Sequence, residues 1–154
     1  MNRLSTLVYL PFLFVSDTWS SVSAEDFSHQ QNVVYAEEHG VALVMDIFTP
    51  TGPKNGLGIV DVISGAWHSD RSKIAQHMLA QAFTQMCRKG YTVFAIRPGS
   101  ITKFNATEMR DHLNRGILWV KRRAKDYSID RDRLGLMGAS AGGHLALLTV
   151  VTGP

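Results

Sequence analysis

The sequence predicts one α/β domain: a mostly parallel sheet with helices on both faces and an antiparallel hairpin at its N-terminal end. From residue 57 onward, short apolar runs alternate with longer segments of helical periodicity. This alternation is typical of parallel strands joined by right-handed helical crossovers. Before residue 57, two Val-rich runs with a period of two flank a polar turn, which predicts the hairpin. The 154 residues contain no internal repeat or low-complexity linker, so a single domain is expected.

The N-terminal elements follow from alternation and from turn residues. The predicted hairpin pairs residues 32–36 with residues 41–48, and residues 37–40 form its turn. Residues 49–56 contain two Pro, two Gly and an Asn, and they predict a loop. Residues 57–63 are apolar and predict the third strand.

The remaining elements alternate in type. A helix is predicted over residues 72–89 and ends at Gly90. Residues 91–96 predict the fourth strand, residues 106–126 a second helix and residues 134–137 the fifth strand. The expected buried faces of the two helices are Ile74, Met78, Ala82 and Met86 on the first, and Met109, Leu113, Ile117, Val120 and Ala124 on the second.

Two local interactions are expected at the second long helix. Asn105 and Glu108 have the spacing of a capping box, in which each side chain binds the other residue's backbone N–H. The same Asn begins an N-A-T sequon, which matters only in a eukaryotic secretory pathway. Asp111 and Arg115 lie four residues apart on the polar side, a spacing that favours an ion pair.

The most informative motif is G-x-S-x-G over residues 138–142, centred on Ser140. A short apolar run precedes it and a small, apolar segment of helical spacing follows it. That context predicts a nucleophile elbow, in which a tight strand-to-helix turn presents a serine hydroxyl. The helix N-terminus then points free N–H groups at the place where an oxyanion forms. An ordinary Gly-rich turn is the alternative; the G-x-G-x-x-G spacing of dinucleotide sites is absent.

The end of the sequence lacks the partners that such a serine needs. Enzymes with this elbow order their triad as Ser, then Asp or Glu, then His. Residues 141–154 contain no Asp or Glu and one His, His144, which lies four residues along the predicted helix. Because nucleophile and base must be within hydrogen-bond reach, a structural role is favoured for His144. We therefore expect the 154-residue chain alone to be inactive and, with its last apolar strand at an open edge, poorly behaved in solution.

The net charge and the cysteine and histidine content argue against a nucleic-acid-binding, thiol-dependent or metal-dependent function. The net charge of +3 does not call for a nucleic-acid partner, and Lys121, Arg122 and Arg123 are most simply the solvated face of a helix. Cys87, the only cysteine, is expected to be a buried and inert thiol. None of the six histidines has metal-ligand spacing, and no cofactor is predicted. His68 could line a pocket, whereas His29, His39, His77 and His112 read as surface or helix-face residues.

The N-terminus has the pattern of a secretory signal peptide over residues 1–24. Arg3 supplies the positive region, residues 4–15 are largely apolar, and small residues lie at positions 22–24. Cleavage would leave a protein that begins near Glu25 and is secreted or periplasmic, with no segment able to span a membrane. The alternative is an uncleaved disordered or anchoring N-terminus.

Three motifs together resemble the α/β-hydrolase fold, and within it the hormone-sensitive-lipase and carbohydrate-esterase branch. Residues 140–146 are similar to the S-A-G-G-[HN]-L helix start of that branch. Residues 129–134 resemble its I-D-P-x-R-[IV] entry to the elbow strand, and residues 63–67 occupy the place of its H-G-G-G-W loop. The resemblance covers roughly residues 33–151, which would make this chain the N-terminal portion of the fold.

This resemblance implies a serine esterase that acts on a small-molecule or carbohydrate ester, such as an acetylated or feruloylated sugar. Ser140 would be the nucleophile, and the N–H of Ala141 would be one oxyanion donor. By resemblance, Gly65 and Ala66 would supply the other donors of the oxyanion hole. Ile63, Ser64 and Ala66 depart from the family's H-G-G-G pattern, but a backbone donor survives such changes.

Other functions stay open at this point. A peptidase of the prolyl-oligopeptidase type shares G-x-S-x-G-G, and downstream sequence would separate it from an esterase. A non-enzymatic alternative is a catalytically inactive fragment or a binding pseudoenzyme. In the α/β-hydrolase interpretation, Trp67 is expected to brace the loop rather than contact substrate, since aromatic side chains mostly serve packing.

Overall fold

The computed structural model describes residues 26–153, and these residues form a mixed five-stranded sheet covered by helices. The predicted signal peptide lies outside the described residues. The strands are β1 (Phe27–Glu38), β2 (Val41–Pro50), β3 (Gly58–Val62), β4 (Thr92–Arg97) and β5 (Leu134–Gly138). The helices are α1 (Ser72–Leu79), α2 (Ala82–Arg88), α3 (Ala106–Arg122) and α4 (Ala141–Thr152), with a 3-10 helix over Ala124–Tyr127.

The sheet has the strand order β1-β2-β4-β3-β5. β1 pairs antiparallel with β2, and β2 with β4, whereas β3 pairs in parallel with both β4 and β5. All strands except β2 therefore run in the same direction, which confirms the predicted parallel sheet with an N-terminal hairpin. The chain crosses from β3 to β4 through α1 and α2, and from β4 to β5 through α3.

Two apolar clusters cover the two faces of the sheet, because successive side chains of a strand point to opposite faces. On β4, Phe94 and Ile96 join the larger cluster, which also holds the buried side chains of α3 and α4. Val93 and Ala95 join the second cluster, with the buried side chains of α1 and α2. Helices thus pack on both faces, as the sequence predicts.

The helix predicted over residues 72–89 is interrupted. Gln81 adopts a left-handed conformation with φ 56°, and it separates α1 from α2. A left-handed residue ends a helix and redirects the chain. As a result Phe83 and Cys87 are buried on α2, whereas Met78, expected on the buried face, is exposed. The predicted burial of the Cys87 thiol is confirmed.

The capping box predicted at the start of α3 is confirmed, whereas the ion pair predicted on its polar side is not. The Asn105 side chain accepts from the Glu108 N–H at 3.0 Å, and Glu108 accepts from the Asn105 N–H at 2.7 Å. The predicted Asp111–Arg115 pair is wrong. Arg115 instead binds the Glu38 carboxylate and the Glu37 carbonyl, because α3 packs beside the end of β1.

Two of the histidines expected as surface or helix-face residues are engaged with other parts of the fold. His112 on α3 is buried, and its Nδ1 accepts a hydrogen bond from the Gly99 N–H at 3.2 Å. Burial lowers the pKa of His112, so its neutral form is favoured. His29 on β1 lies 2.8 Å from the fully buried carboxylate of Asp46. None of the helices between residues 26 and 153 combines the length and the apolar content needed to cross a bilayer.

Candidate active site

Ser140 lies on a sharp turn between β5 and α4, as predicted. β5 ends at Gly138, α4 begins at Ala141, and Ser140 between them has φ 53° and ψ −121°. A non-glycine residue outside the common backbone regions costs of order 1–3 kcal/mol and persists only where its surroundings impose it. The surroundings here are the two tightly packed elements that the turn connects.

Gly138 and Gly142 permit that packing. A Cβ on Gly138 would lie 2.5 Å from the carbonyl carbon of Gly142. A Cβ on Gly142 would come well inside 3.0 Å of the Val62 carbonyl oxygen, at the end of β3. Both obstacles are backbone atoms, which cannot rotate away as a side chain can. The glycines of the motif therefore bring Ser140 close to the loop that follows β3.

That loop makes a tight turn over residues 65–68. The Gly65 N–H donates to the His68 carbonyl at 3.2 Å, and the His68 N–H donates to the Gly65 carbonyl at 2.8 Å. The two central residues, Ala66 and Trp67, have φ 48° and 59°. Positive φ at both central positions is the pattern of a type I′ turn, which neither residue type favours. Ile63, two residues before the turn, is fully buried and its N–H donates to the Ile96 carbonyl of β4 at 2.8 Å.

The loop and Ser140 line one cavity of about 190 Å³. The lining residues are Val62, Ser64, Gly65, Ala66, Lys73, Gln76, His77, Ala139 and Ser140. Among residues 26–153, the Ala66 and Ala141 N–H groups donate to no other residue, whereas the Gly65 N–H is already used. Of the three N–H groups predicted to form the oxyanion hole, those of Ala66 and Ala141 are thus free. The Gly65 N–H could donate to an oxyanion only after its hydrogen bond to the His68 carbonyl breaks.

His144 is held by the same loop. The Trp67 Nε1–H donates to His144 Nδ1 at 3.3 Å, and the two rings meet edge to face with centroids 5.7 Å apart. This contact ties the turn to the first half of α4. It agrees with the interpretation that Trp67 braces the loop and that His144 has a structural role.

The same region holds an Asp–His pair that no sequence motif predicts. Asp61 is a fully buried residue of β3, and its Oδ2 lies 2.6 Å from Nδ1 of His77 on α1. Burial raises the pKa of Asp61, and the neighbouring His77 opposes that rise. His77 was expected as a surface or helix-face residue; it lies on α1, and its side chain is 20% exposed. The available signal was the lone carboxylate in an otherwise apolar strand, because a buried charge requires a partner.

The other candidate ligands do not gather at this site. His68 is exposed and does not line the cavity. Across residues 26–153, no cluster of three or more His, Cys, Asp or Glu side chains is arranged to hold a metal ion.

The strand order, the elbow and the loop after β3 together define an α/β-hydrolase fold. Residues 45–154 match the BD-FAE family, and the chain belongs to that family. It is also similar to the probable carboxylic ester hydrolase LipM of Mycobacterium tuberculosis (strain ATCC 25618 / H37Rv), with 26% identity over 134 aligned residues. That alignment covers 82% of this chain and 29% of LipM.

Solved esterase structures share the fold. A truncated form of a carbohydrate esterase from gut microbiota superposes with a TM-score of 0.68 at 23% identity, over 83% of this chain and 45% of that one. Esterase B from Lactobacillus rhamnosis (HN001) gives a TM-score of 0.64 at 19% identity, over 79% of this chain and 38% of that one. This chain therefore spans less than half of the length of each of these proteins.

Proposed function

We propose that the protein of which these residues form part is a serine hydrolase of carboxylic esters, with Ser140 as its nucleophile. The observation that carries the proposal is the strained turn that presents Ser140 to the cavity shared with the 65–68 turn. Membership of the BD-FAE family and similarity to LipM support the ester class of substrate. The likeness to a carbohydrate esterase supports a carbohydrate ester alongside simple small-molecule esters.

In this mechanism the Ser140 Oγ attacks the ester carbonyl carbon while its proton passes to a general base. The carbonyl oxygen becomes an oxyanion and accepts hydrogen bonds from the Ala141 and Ala66 N–H groups. The Gly65 N–H can donate to the oxyanion as well only if its hydrogen bond to the His68 carbonyl breaks. Collapse of the intermediate expels the alcohol, which takes the proton from the base, and leaves an acyl group on Ser140. Water then attacks the acyl carbonyl carbon and gives a proton to the base. Collapse of this second intermediate releases the acid, and the Ser140 Oγ takes the proton from the base.

The general base and its carboxylate partner are proposed to come from part of the whole protein outside these 154 residues. Within the chain, His144 accepts from Trp67, and no Asp or Glu follows Ser140. The outer side of α4 presents Leu147, Val150 and Val151 to solvent, which supports further packing there. These residues alone are accordingly proposed to be inactive. A signal peptide over residues 1–24 and a secreted or periplasmic location belong to the same proposal.

The test compares Ser140→Ala with the wild-type full-length protein. The substrates are 4-nitrophenyl acetate, an acetylated xylose and a proline-containing peptide amide. Removing a serine nucleophile lowers kcat by up to ~10⁶-fold, and we expect a loss approaching that size on the esters. Ser28→Ala, an exposed serine on β1, is the matched control and should turn over like the wild type.

Near-normal ester turnover by Ser140→Ala would falsify the assignment of Ser140. Serine-dependent cleavage of the peptide amide, without ester cleavage, would instead favour the peptidase alternative. Absence of any Ser140-dependent turnover in the full-length protein would favour an inactive binding protein.

A further inference from the structure

One wall of the Ser140 cavity is polar and comes from a single face of α1. Lys73, Gln76 and His77 all line the cavity together with Ser140. Their spacing of three and four residues places them side by side on the helix. The proposed ester chemistry at Ser140 does not use any of these three side chains, so their convergence on this cavity needs a separate account.

Lys73 lies directly against the loop that follows β3. A Cβ on Gly65 would come well inside 3.0 Å of Lys73 Cε, so the missing side chain of Gly65 provides the space for the lysine stem. The ammonium group donates to Gln76 Oε1 at 3.0 Å. Within residues 26–153, Lys73 makes no ion pair with a carboxylate.

The nearby carboxylates do not neutralise Lys73 by contact. Asp70 accepts hydrogen bonds from the Ser72 N–H and hydroxyl at 2.8 and 2.6 Å, and these bonds lower its pKa more than the charge of Lys73 does. Asp61 is buried behind the imidazole of His77 and is bonded to its Nδ1. An imidazole whose Nδ1–H donates to a carboxylate keeps only an acceptor at Nε2, so Lys73 and Gln76 are the hydrogen-bond donors of this wall.

Building on the function proposed for Ser140, we propose that Lys73 and Gln76, beside His77, form a subsite that binds a carboxylate group carried by the ester substrate. An ammonium group without a carboxylate partner attracts an anion, and a carboxylate can accept from several donors at once. The subsite favours esters with a free carboxylate on the acid or the alcohol part over neutral esters of the same shape.

The test uses the full-length protein and two matched substrate pairs. 4-Nitrophenyl hemisuccinate against 4-nitrophenyl pentanoate places the carboxylate on the acid part of the ester. 3-Acetoxybenzoate against 3-acetoxybenzamide places it on the alcohol part. For each pair, the ratio of kcat/KM values is compared between wild type and variant, so that intrinsic reactivity cancels.

For one of the two pairs, Lys73→Met should lower the charged-to-neutral ratio by about threefold to tenfold, as expected for a partly exposed charge contact. Lys73→Arg should keep most of the preference, and about 0.5 M NaCl should weaken it in the wild type. Lys89→Met, an exposed lysine beyond α2, is the matched control and should change neither ratio.

Unchanged ratios for both pairs in Lys73→Met would overturn the subsite while leaving Ser140-dependent hydrolysis intact. Hydrolysis that persists in Ser140→Ala would instead contradict the proposed function. If no ester is turned over, calorimetric titration decides the question of the subsite. Equal Kd values for 3-acetoxybenzoate and 3-acetoxybenzamide would then contradict it, and tighter binding of the benzoate that is lost in Lys73→Met would support it.

Discussion

Replacing Gly142 by alanine should separate the elbow from the sheet. Gly142 is the second residue of α4, and its α-carbon faces the last carbonyl of β3. The added Cβ would come well inside 3.0 Å of the Val62 oxygen, and its next neighbours would be the Val62 carbonyl carbon at 3.2 Å and the Ser64 nitrogen at 3.6 Å. All three are backbone atoms, so relief requires α4 to move away from β3 by about 1 Å.

Two opposing free-energy contributions determine how much Gly142→Ala changes the free energy of unfolding. Alanine is favoured over glycine inside a helix by about 1 kcal/mol. Forcing one extra carbon into a well-packed site costs about 1–3 kcal/mol, and occasionally more where the backbone must shift. Since the obstacle here is a strand carbonyl, we expect the upper end, and a net loss of about 2 kcal/mol in the free energy of unfolding. Ser140 moves with α4, and a displacement of about 1 Å at a reacting centre can lower turnover about 100-fold.

The assay is urea unfolding of the full-length protein, followed by fluorescence, together with ester turnover. Gly135→Ala on β5 is the matched control, because its Cβ would find its nearest neighbour, Ile59 Cγ1, at an ordinary 3.6 Å. That variant should be as stable as the wild type or slightly more stable. Equal free energies of unfolding for Gly142→Ala and Gly135→Ala would refute the close approach of α4 to β3.

Two further predictions concern α3. Asn105→Ala removes the N-cap acceptor of the Glu108 N–H and should lower the free energy of unfolding by about 1 kcal/mol in urea titrations. Glu108→Gln, which can still accept from the Asn105 N–H, should lose much less, and equal losses would contradict the capping account. The lowered pKa of His112 means that the unfolded chain binds the extra proton more readily. Its contribution to stability is therefore complete above its ordinary pKa of 6.5 and declines as the pH falls through the folded-state pKa. Between about pH 7 and pH 5, the wild type should lose stability relative to His112→Gln, and a difference that does not change with pH would contradict this assignment.

The parts of the fold that the sequence predicts are those encoded by local signals. Alternation marks the hairpin, and the Gly-flanked Ser140 marks the strand-to-helix turn. The break at Gln81 carries no such signal, since glutamine is a good helix former and no Gly or Pro adjoins it. The left-handed turn at Gln81 accompanies the burial of Phe83 and Cys87 against the sheet, which is a tertiary effect.

The residues of the candidate site likewise fall into those that a local motif predicts and those that only tertiary packing brings together. Ser140 and Ala141 are adjacent in sequence, so a motif can predict them together. The Asp61–His77 pair joins residues 16 positions apart on different elements, and only packing of α1 on the sheet brings them together. The commitment of the Gly65 N–H to His68 depends on positive φ at Ala66 and Trp67, which neither residue type favours.

Covalent labelling tests the central claim most directly. The full-length protein is treated with a fluorophosphonate, which reacts with activated serine nucleophiles, and is then analysed by intact mass and peptide mapping. We expect one adduct, on the peptide that contains Ser140, and none in Ser140→Ala under the same conditions. An adduct on another serine, or ester turnover that continues in a protein whose Ser140 is fully labelled, would contradict it.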